Sequence, residues 1–218
     1  MNYKTTILFL TFTSFLYSEE IKTIQAIQGK DSDFFDFEDY DENKKPIGDL
    51  IFLKGCSWYC GASVKKIKAS SELKETNEIN YSPTNAHDFN KNTAWIEGNS
   101  DYGIGEFIEY SFKFIAIEGY KGELDITQIL LVNAYKKNQK IWQNNSRVKQ
   151  LKIYINDQVY TVINLIDSYE IQTIEIGEIS FPSKETTKIK FKITEVYKGA
   201  KFTDTAISLL MFNGIGAH

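Results

Sequence analysis

The stretch KIKFKITEV, residues 188–196, narrows the choice of fold more than any other. Ile189, Phe191 and Ile193 alternate with Lys188, Lys190 and Lys192. Side chains of a strand point to opposite faces in turn, so a period of two describes a strand with one dry face and one wet face. The same Ile-, Val-, Phe-, Tyr- and Thr-rich character recurs between polar turns. It predicts strands over residues 49–54, 107–117, 125–132, 148–155, 158–165, 171–176, 187–196 and 206–212. In QLKIYINDQVYTVINL, Asn156 and Asp157 separate two such runs and predict a hairpin. No segment sustains a 3.6-residue apolar stripe for more than about two turns. The chain has 218 residues, 42% of them hydrophobic and 14% aromatic, enough for one core. The expected fold is all-β, a sandwich or jelly roll of about eight antiparallel strands.

The N-terminus, MNYKTTILFLTFTSFLYSEE, has one positive charge at Lys4, an uncharged run over residues 5–17, and Ser18 before two glutamates. That is the layout of a secretory signal peptide over residues 1–18. The uncharged run is too short for a hydrocarbon core that needs about 20 residues. Export, to a secreted, periplasmic or cell-surface location, is therefore expected. Residues 19–48 form an acidic aromatic segment in which DSDFFDFEDYDE, residues 31–42, mixes seven acids with Phe34, Phe35, Phe37 and Tyr40. Such a segment reads as a solvated tail, or as one that docks on a partner. Residues 49–218 form the domain. In an exported chain Cys56 and Cys60 read as a local disulfide. Zinc would need a second ligand pair, which neither His87 nor His218 supplies nearby, and two free thiols are the remaining reading. A formal charge of −4 and a pI near 5.4 argue against a nucleic-acid partner.

Catalysis has no positive signal. Two histidines, one at the C-terminus, make a hydrolytic triad a poor fit. No spacing singles out a pair of carboxylates, and GNSDYGIGE does not follow a strand and open a helix as a phosphate loop would. Polar connections rich in aromatic and amide residues stand out instead. An aromatic face packs against the C–H face of a pyranose while amides, carboxylates and guanidinium groups direct hydrogen bonds to its hydroxyls. In VNAYKKNQKIWQNNSRVK the residues Tyr135, Trp142, Asn145 and Arg147, beside Asn133, are of those types. Arg147 is the sole arginine against 24 lysines. The bland alternative makes Arg147 a bridge between loop carbonyls and Trp142 a cover for the open end of the sandwich. In SPTNAHDFNKNTAWIEGNSDYGIGE, residues 82–106, Trp95 reads as a core plug, and Asp88 and Thr93 shape a turn with Asn90. The outer part, Glu97 to Tyr102, is a candidate contact surface.

The run YSPTNAHDFNKNTAWIEGNSDYGIGEFIEYSF, then LLVNAYKKNQKIWQNNSRVKQLKIY, closed by VYKGAKFTDTAISLLMF, resembles the discoidin-like, F5/8 type C domain attached to the streptococcal NAD-glycohydrolase toxin. The resemblance spans about Cys56 to Phe212. It places D-x-x-x-x-T-x-W on Asp88, Thr93 and Trp95, an aromatic-to-N-x-R pattern on Trp142, Asn145 and Arg147, and D-T-x-I-S on Asp204, Thr205, Ile207 and Ser208. It implies a galactose-binding-like jelly roll and non-covalent carbohydrate recognition, without NAD hydrolysis, which belongs to a separate domain of the toxin. Many discoidin-like lectins carry a calcium-ligating Glu after that Ser. Here the position is Leu209, which leaves a calcium site of that type incomplete; no cofactor is expected, and calcium on the oxygens of Asp88, Asn90 and Thr93 stays the alternative to a turn held by hydrogen bonds.

The expected function is that of an exported, non-catalytic module. It binds a glycan or glycoconjugate through loops at one end of the sandwich. The alternative is a protein-interaction or adhesion module that captures an envelope or host protein through the acidic tail and loops.

Overall fold

The computed structural model describes residues 20–30, 35–36, 52–53, 58–60, 63–76, 79–90, 92–113, 125–181 and 186–215. The segment read as a signal peptide, most of the acidic stretch and the expected pairing of Cys56 with Cys60 fall outside these residues. In chain order the strands are β1 (Thr23–Gln25), β2 (Ile27–Gln28), β3 (Phe35–Asp36), β4 (Phe52–Leu53), β5 (Val64–Ala69), β6 (Trp95–Ile96) and β7 (Phe107–Lys113). They continue with β8 (Asp125–Asn133), β9 (Ser146–Ile155), β10 (Gln158–Asn164), β11 (Gln172–Ser180), β12 (Thr186–Tyr197) and β13 (Thr205–Ile215). One six-residue α-helix, α1 (Gln139–Asn144), lies between β8 and β9.

The main sheet runs β2-β11-β8-β13-β9-β12-β7-β5, with β1 on β10, β10 on β9 and β6 on β13. Its two halves meet where β13 touches β9 in a short parallel contact, Thr205 against Ser146 and Ala206 against Arg147. They then fold face to face. In a flat sheet β13 and β7 would be three strand spacings apart, about 14 Å. Yet the rings of Phe212 on β13 and Tyr110 on β7 lie 5.0 Å apart and edge to face, as do Phe212 and Phe112. That contact closes a sandwich around a core of Ile129, Leu131, Leu151, Ile153, Phe191 and their neighbours. Burying each such side chain contributes about 1.5–3 kcal/mol.

The alternation expected of β12 is present. Ile189, Phe191 and Ile193 are buried, while Lys188, Lys190 and Lys192 stay at least partly exposed. β13 behaves differently: Ile207, Leu210 and Phe212 join the inner core, whereas Leu209 and Met211 pack outside with Leu130, Val132 and Ile171. Both faces of the β8–β13 pair are dry, which explains the nearly unbroken apolar run AISLLMF. The β9–β10 turn uses positive φ at both Asn156 (48°) and Asp157 (66°), the residues that tolerate it best after glycine.

Two differences from the sequence reading have local causes. The strands at residues 23–28, 35–36, 64–69 and 95–96 were not expected. Those of two or three residues carry too little pattern to read, and in VKKIKA a register shift between Val64 and Lys66 breaks the alternation. The pairing is not wholly antiparallel either, since β1 runs parallel to β10 and β13 begins parallel to β9.

Candidate functional site

At the end where β13 meets β9, the connection from β8 to β9 is held by its amides. Asn133, fully buried, donates from Nδ2 to the Val148 carbonyl (2.7 Å) and accepts the Val148 N–H on Oδ1 (2.9 Å). Ala134 then turns the chain with φ 61°. Asn138 caps α1, its Oδ1 accepting the Ile141 N–H at 2.9 Å, and Asn145 closes the helix by donating from Nδ2 to the Ile141 carbonyl. With the helix so fixed, Ile141 packs on the buried cluster of Ala94, Ile96, Tyr135 and Ala206. Trp142 is left on the other side.

The indole of Trp142 is oriented by its Nε1–H donating to the Asn133 carbonyl at 3.1 Å. The Arg147 guanidinium carbon lies 4.7 Å from its ring centroid, and Tyr169 meets it edge to face at 5.7 Å. Arg147 in turn grips Asp167 with two bonds, Nε to Oδ1 at 2.5 Å and Nη2 to Oδ2 at 3.1 Å. Its Nη1 donates to the Asn145 carbonyl at 3.0 Å. The Arg147 side chain is 10% exposed and the Asp167 side chain 39%, so the carboxylate is the part of this clamp that faces water.

The second connection, 97–106, is organised from beneath. Glu97 has no exposure, and its carboxylate accepts the Asn99 N–H (2.7 Å) and the Thr205 N–H (3.0 Å). Burial, the largest influence, raises its pKa, with the two N–H bonds opposing. Gly103, with φ +67°, lies so close that a Cβ would sit 2.6 Å from the Glu97 carboxyl carbon, which restricts the position to glycine. Thr205 also donates from Oγ1 to the Tyr102 carbonyl at 2.9 Å. The two connections are linked by Lys198, whose ammonium lies 4.7 Å from the Tyr102 ring centroid and whose carbonyl is within reach of Arg147 Nη2.

The structure brings Trp142, Asn145 and Arg147 into direct contact and places Glu97 and Tyr102 next to them through Thr205 and Lys198. Their exposures differ from the expectation of a shared contact surface. Tyr135 is 8% exposed beneath Ile141 and against Tyr81, Glu97 is sealed under Gly103, and Asn145 is spent on the helix end. Asp167 and Tyr169 complete the clamp around Trp142 but carry no signal in the sequence. They lie some 20 residues beyond Arg147, in the β10–β11 loop, and only the fold delivers them.

Trp95 is fully buried and donates from Nε1 to the Ser71 carbonyl at 3.0 Å. Asp88 accepts the Thr93 hydroxyl (2.7 Å) and the Asn90 N–H (2.9 Å), tying its own turn. Leu209, at the lectin calcium position, is buried in the outer apolar cluster. Among the described residues no three His, Cys, Asp or Glu side chains group so as to hold a metal ion. A leucine buried there supplies no carboxylate to a lectin-type calcium. No helix among the described residues is long and apolar enough to cross a membrane.

Comparison with known proteins agrees with this fold. The CBM32-1 and CBM32-2 domains of Clostridium perfringens ZmpB superpose with a TM-score of 0.53 at 12% identity over 92% of this chain, which spans 43% of that one. The same pair in complex with GalNAc gives 0.52 at 12% identity, over 92% of this chain and 42% of that chain. A longer ZmpB structure that includes the M60 catalytic domain gives 0.54 at 13% identity, over 92% of this chain and 17% of that chain. At such identities the likeness establishes the galactose-binding-like β-sandwich fold and no more. No curated protein matches the chain. The family model of the NAD glycohydrolase translocation F5/8 type C domain matches residues 58–213, through every strand from β5 to β12 and most of β13. By that match, which covers well over half its length, the chain belongs to the NAD glycohydrolase translocation F5/8 type C domain family.

Proposed function

We propose that this chain is an exported, non-catalytic module that binds a glycan at the end of the sandwich built around Trp142. The observation that carries this reading is the Trp142–Arg147–Asp167 stack. It is a partly exposed indole whose plane is set by one hydrogen bond and one guanidinium, beside a carboxylate that Arg147 holds in place. A fixed aromatic face next to a fixed acceptor suits a pyranose, whose C–H face packs on the ring while a hydroxyl donates to the carboxylate. Because both groups are preorganised, binding loses little side-chain entropy. Membership in a translocation-domain family and a fold shared with domains whose structure is known in complex with GalNAc support the reading.

The test is a glycan array followed by calorimetry on the ligand it finds, including GalNAc. Trp142→Ala and Asp167→Asn are each expected to weaken binding at least tenfold while the thermal midpoint of Asp167→Asn stays within a few degrees. Absence of any glycan ligand across the array, or affinities unchanged in both variants, would overturn the proposal.

A further inference from the structure

The outer face of the β5-β7-β12-β9 layer carries a concentration of positive charge that the loop-end site does not use. Register places its residues in rows. Lys66, Ser111 and Lys188 form one row, and Lys68, Glu109, Lys190 and Tyr154 the next. Phe107, Lys192 and Lys152 form the third. Lys113, beyond the first row, is exposed as well. Adjacent rows are about 6.8 Å apart and adjacent strands about 4.8 Å apart, so the cations form a regular lattice.

Two acids answer seven lysines. Glu109, only 2% exposed, pairs with Lys68 at 3.0 Å and Lys190 at 3.6 Å, and Asp157 pairs with Lys190 at 2.5 Å. Lys66, Lys113, Lys152, Lys188 and Lys192 have no ion-pair partner within 4 Å among the described residues. Lys192 and Lys152 stand directly opposite one another, an arrangement that disfavours folding. On a chain whose formal charge is −4 this is strong segregation of charge onto one face. Two partly exposed rings sit inside the lattice: the Lys190 ammonium lies 5.4 Å from the Phe107 centroid and 5.7 Å from that of Tyr154.

We infer that this face binds an extended acidic polysaccharide, independently of the loop-end site. Sulfate or carboxylate groups would sit on the unpaired ammoniums, and sugar rings would lie over Phe107 and Tyr154. Charge complementarity selects a polyanion. The aromatic rings between the cations select one built of pyranoses. A nucleic acid is disfavoured because its recognition favours arginine forks, and the chain's single arginine is committed to Asp167 on another part of the molecule.

The test uses the full chain with heparin, chemically desulfated heparin and a single-stranded thymidine homopolymer of matched charge. The triple variant Lys152→Gln, Lys188→Gln, Lys192→Gln should elute from immobilised heparin at clearly lower salt and bind it at least tenfold more weakly. Lys74→Gln, Lys137→Gln, Lys140→Gln, which removes the same charge elsewhere, should behave as the parent. Desulfation should weaken binding, and the homopolymer should bind less tightly than heparin. Equal heparin affinity in both triple variants, no heparin binding by the parent, or homopolymer binding as tight as heparin would each overturn the inference. A Trp142→Ala variant should retain heparin, which separates failure here from failure of the loop-end site.

Discussion

The two polar connections at the end of the sandwich, residues 97–106 and 134–145, are made of similar residues and are held in opposite ways. In the first, a carboxylate is drawn wholly inside and spends both oxygens on backbone N–H groups of Asn99 and Thr205. In the second, Asn145 and its flanking neighbour Asn133, both buried, do the backbone work, and Trp142, with the Asp167 carboxylate brought to it from the β10–β11 loop, is left at the surface. Residue type thus does not separate framework from contact surface at this end. What separates them is whether the backbone has already consumed a group's hydrogen-bonding capacity.

The largest expected effect breaks the first connection. Glu97→Ala leaves the buried Thr205 N–H without an acceptor and frees the Asn99 N–H of an exposed loop residue, and should lower unfolding free energy by about 2–3 kcal/mol, read as a fall in urea midpoint. A fall below about 0.5 kcal/mol would mean that the loop reorganises and that Glu97 is no keystone.

A smaller effect sharpens the second. Arg147→Lys keeps the charge but replaces a planar fork by one ammonium that cannot serve both Asp167 oxygens and the Asn145 carbonyl together. A loss of about 1–2 kcal/mol is expected in thermal or chemical unfolding. If lysine matches arginine, the fork is not what holds Asp167.

The smallest effect lies outside both connections and serves as their control. His87 packs among Tyr59, Phe89, Tyr110 and Phe212, with its Nδ1–H on the Leu210 carbonyl at 2.8 Å. Burial lowers its pKa from 6.5, partly opposed by that bond. The folded protein then binds fewer protons than the unfolded chain, so the His87 contribution is intact above pH 6.5 and is lost as pH falls towards the folded value. A thermal midpoint that drops more steeply between pH 7 and pH 5 in the parent than in His87→Phe is expected. Identical slopes would remove the histidine from the account.

Most strands were legible because they are long and half wet, or long and wholly dry; KIKFKITEV and AISLLMF differ only in which faces are covered. β5 was hidden by its register shift, and β1, β2, β3 and β6 by their brevity. At the site, the α1 region and Arg147 could be singled out by composition, since one arginine among 24 lysines is unusual in any fold. Asp167 and Tyr169 could not, because nothing local marks a loop residue whose partner is 20 positions away.

Alternation along the chain decided the β class, the turn at Asn156–Asp157 and the lysine-bearing face of β12, because a strand's period of two follows from covalent geometry alone. Which carboxylate is swallowed and which faces water, and how lysines of four strands come to share one lattice, were decided by packing and register between strands far apart in sequence. Those depend on which backbone groups meet across the sandwich, and no local pattern records that.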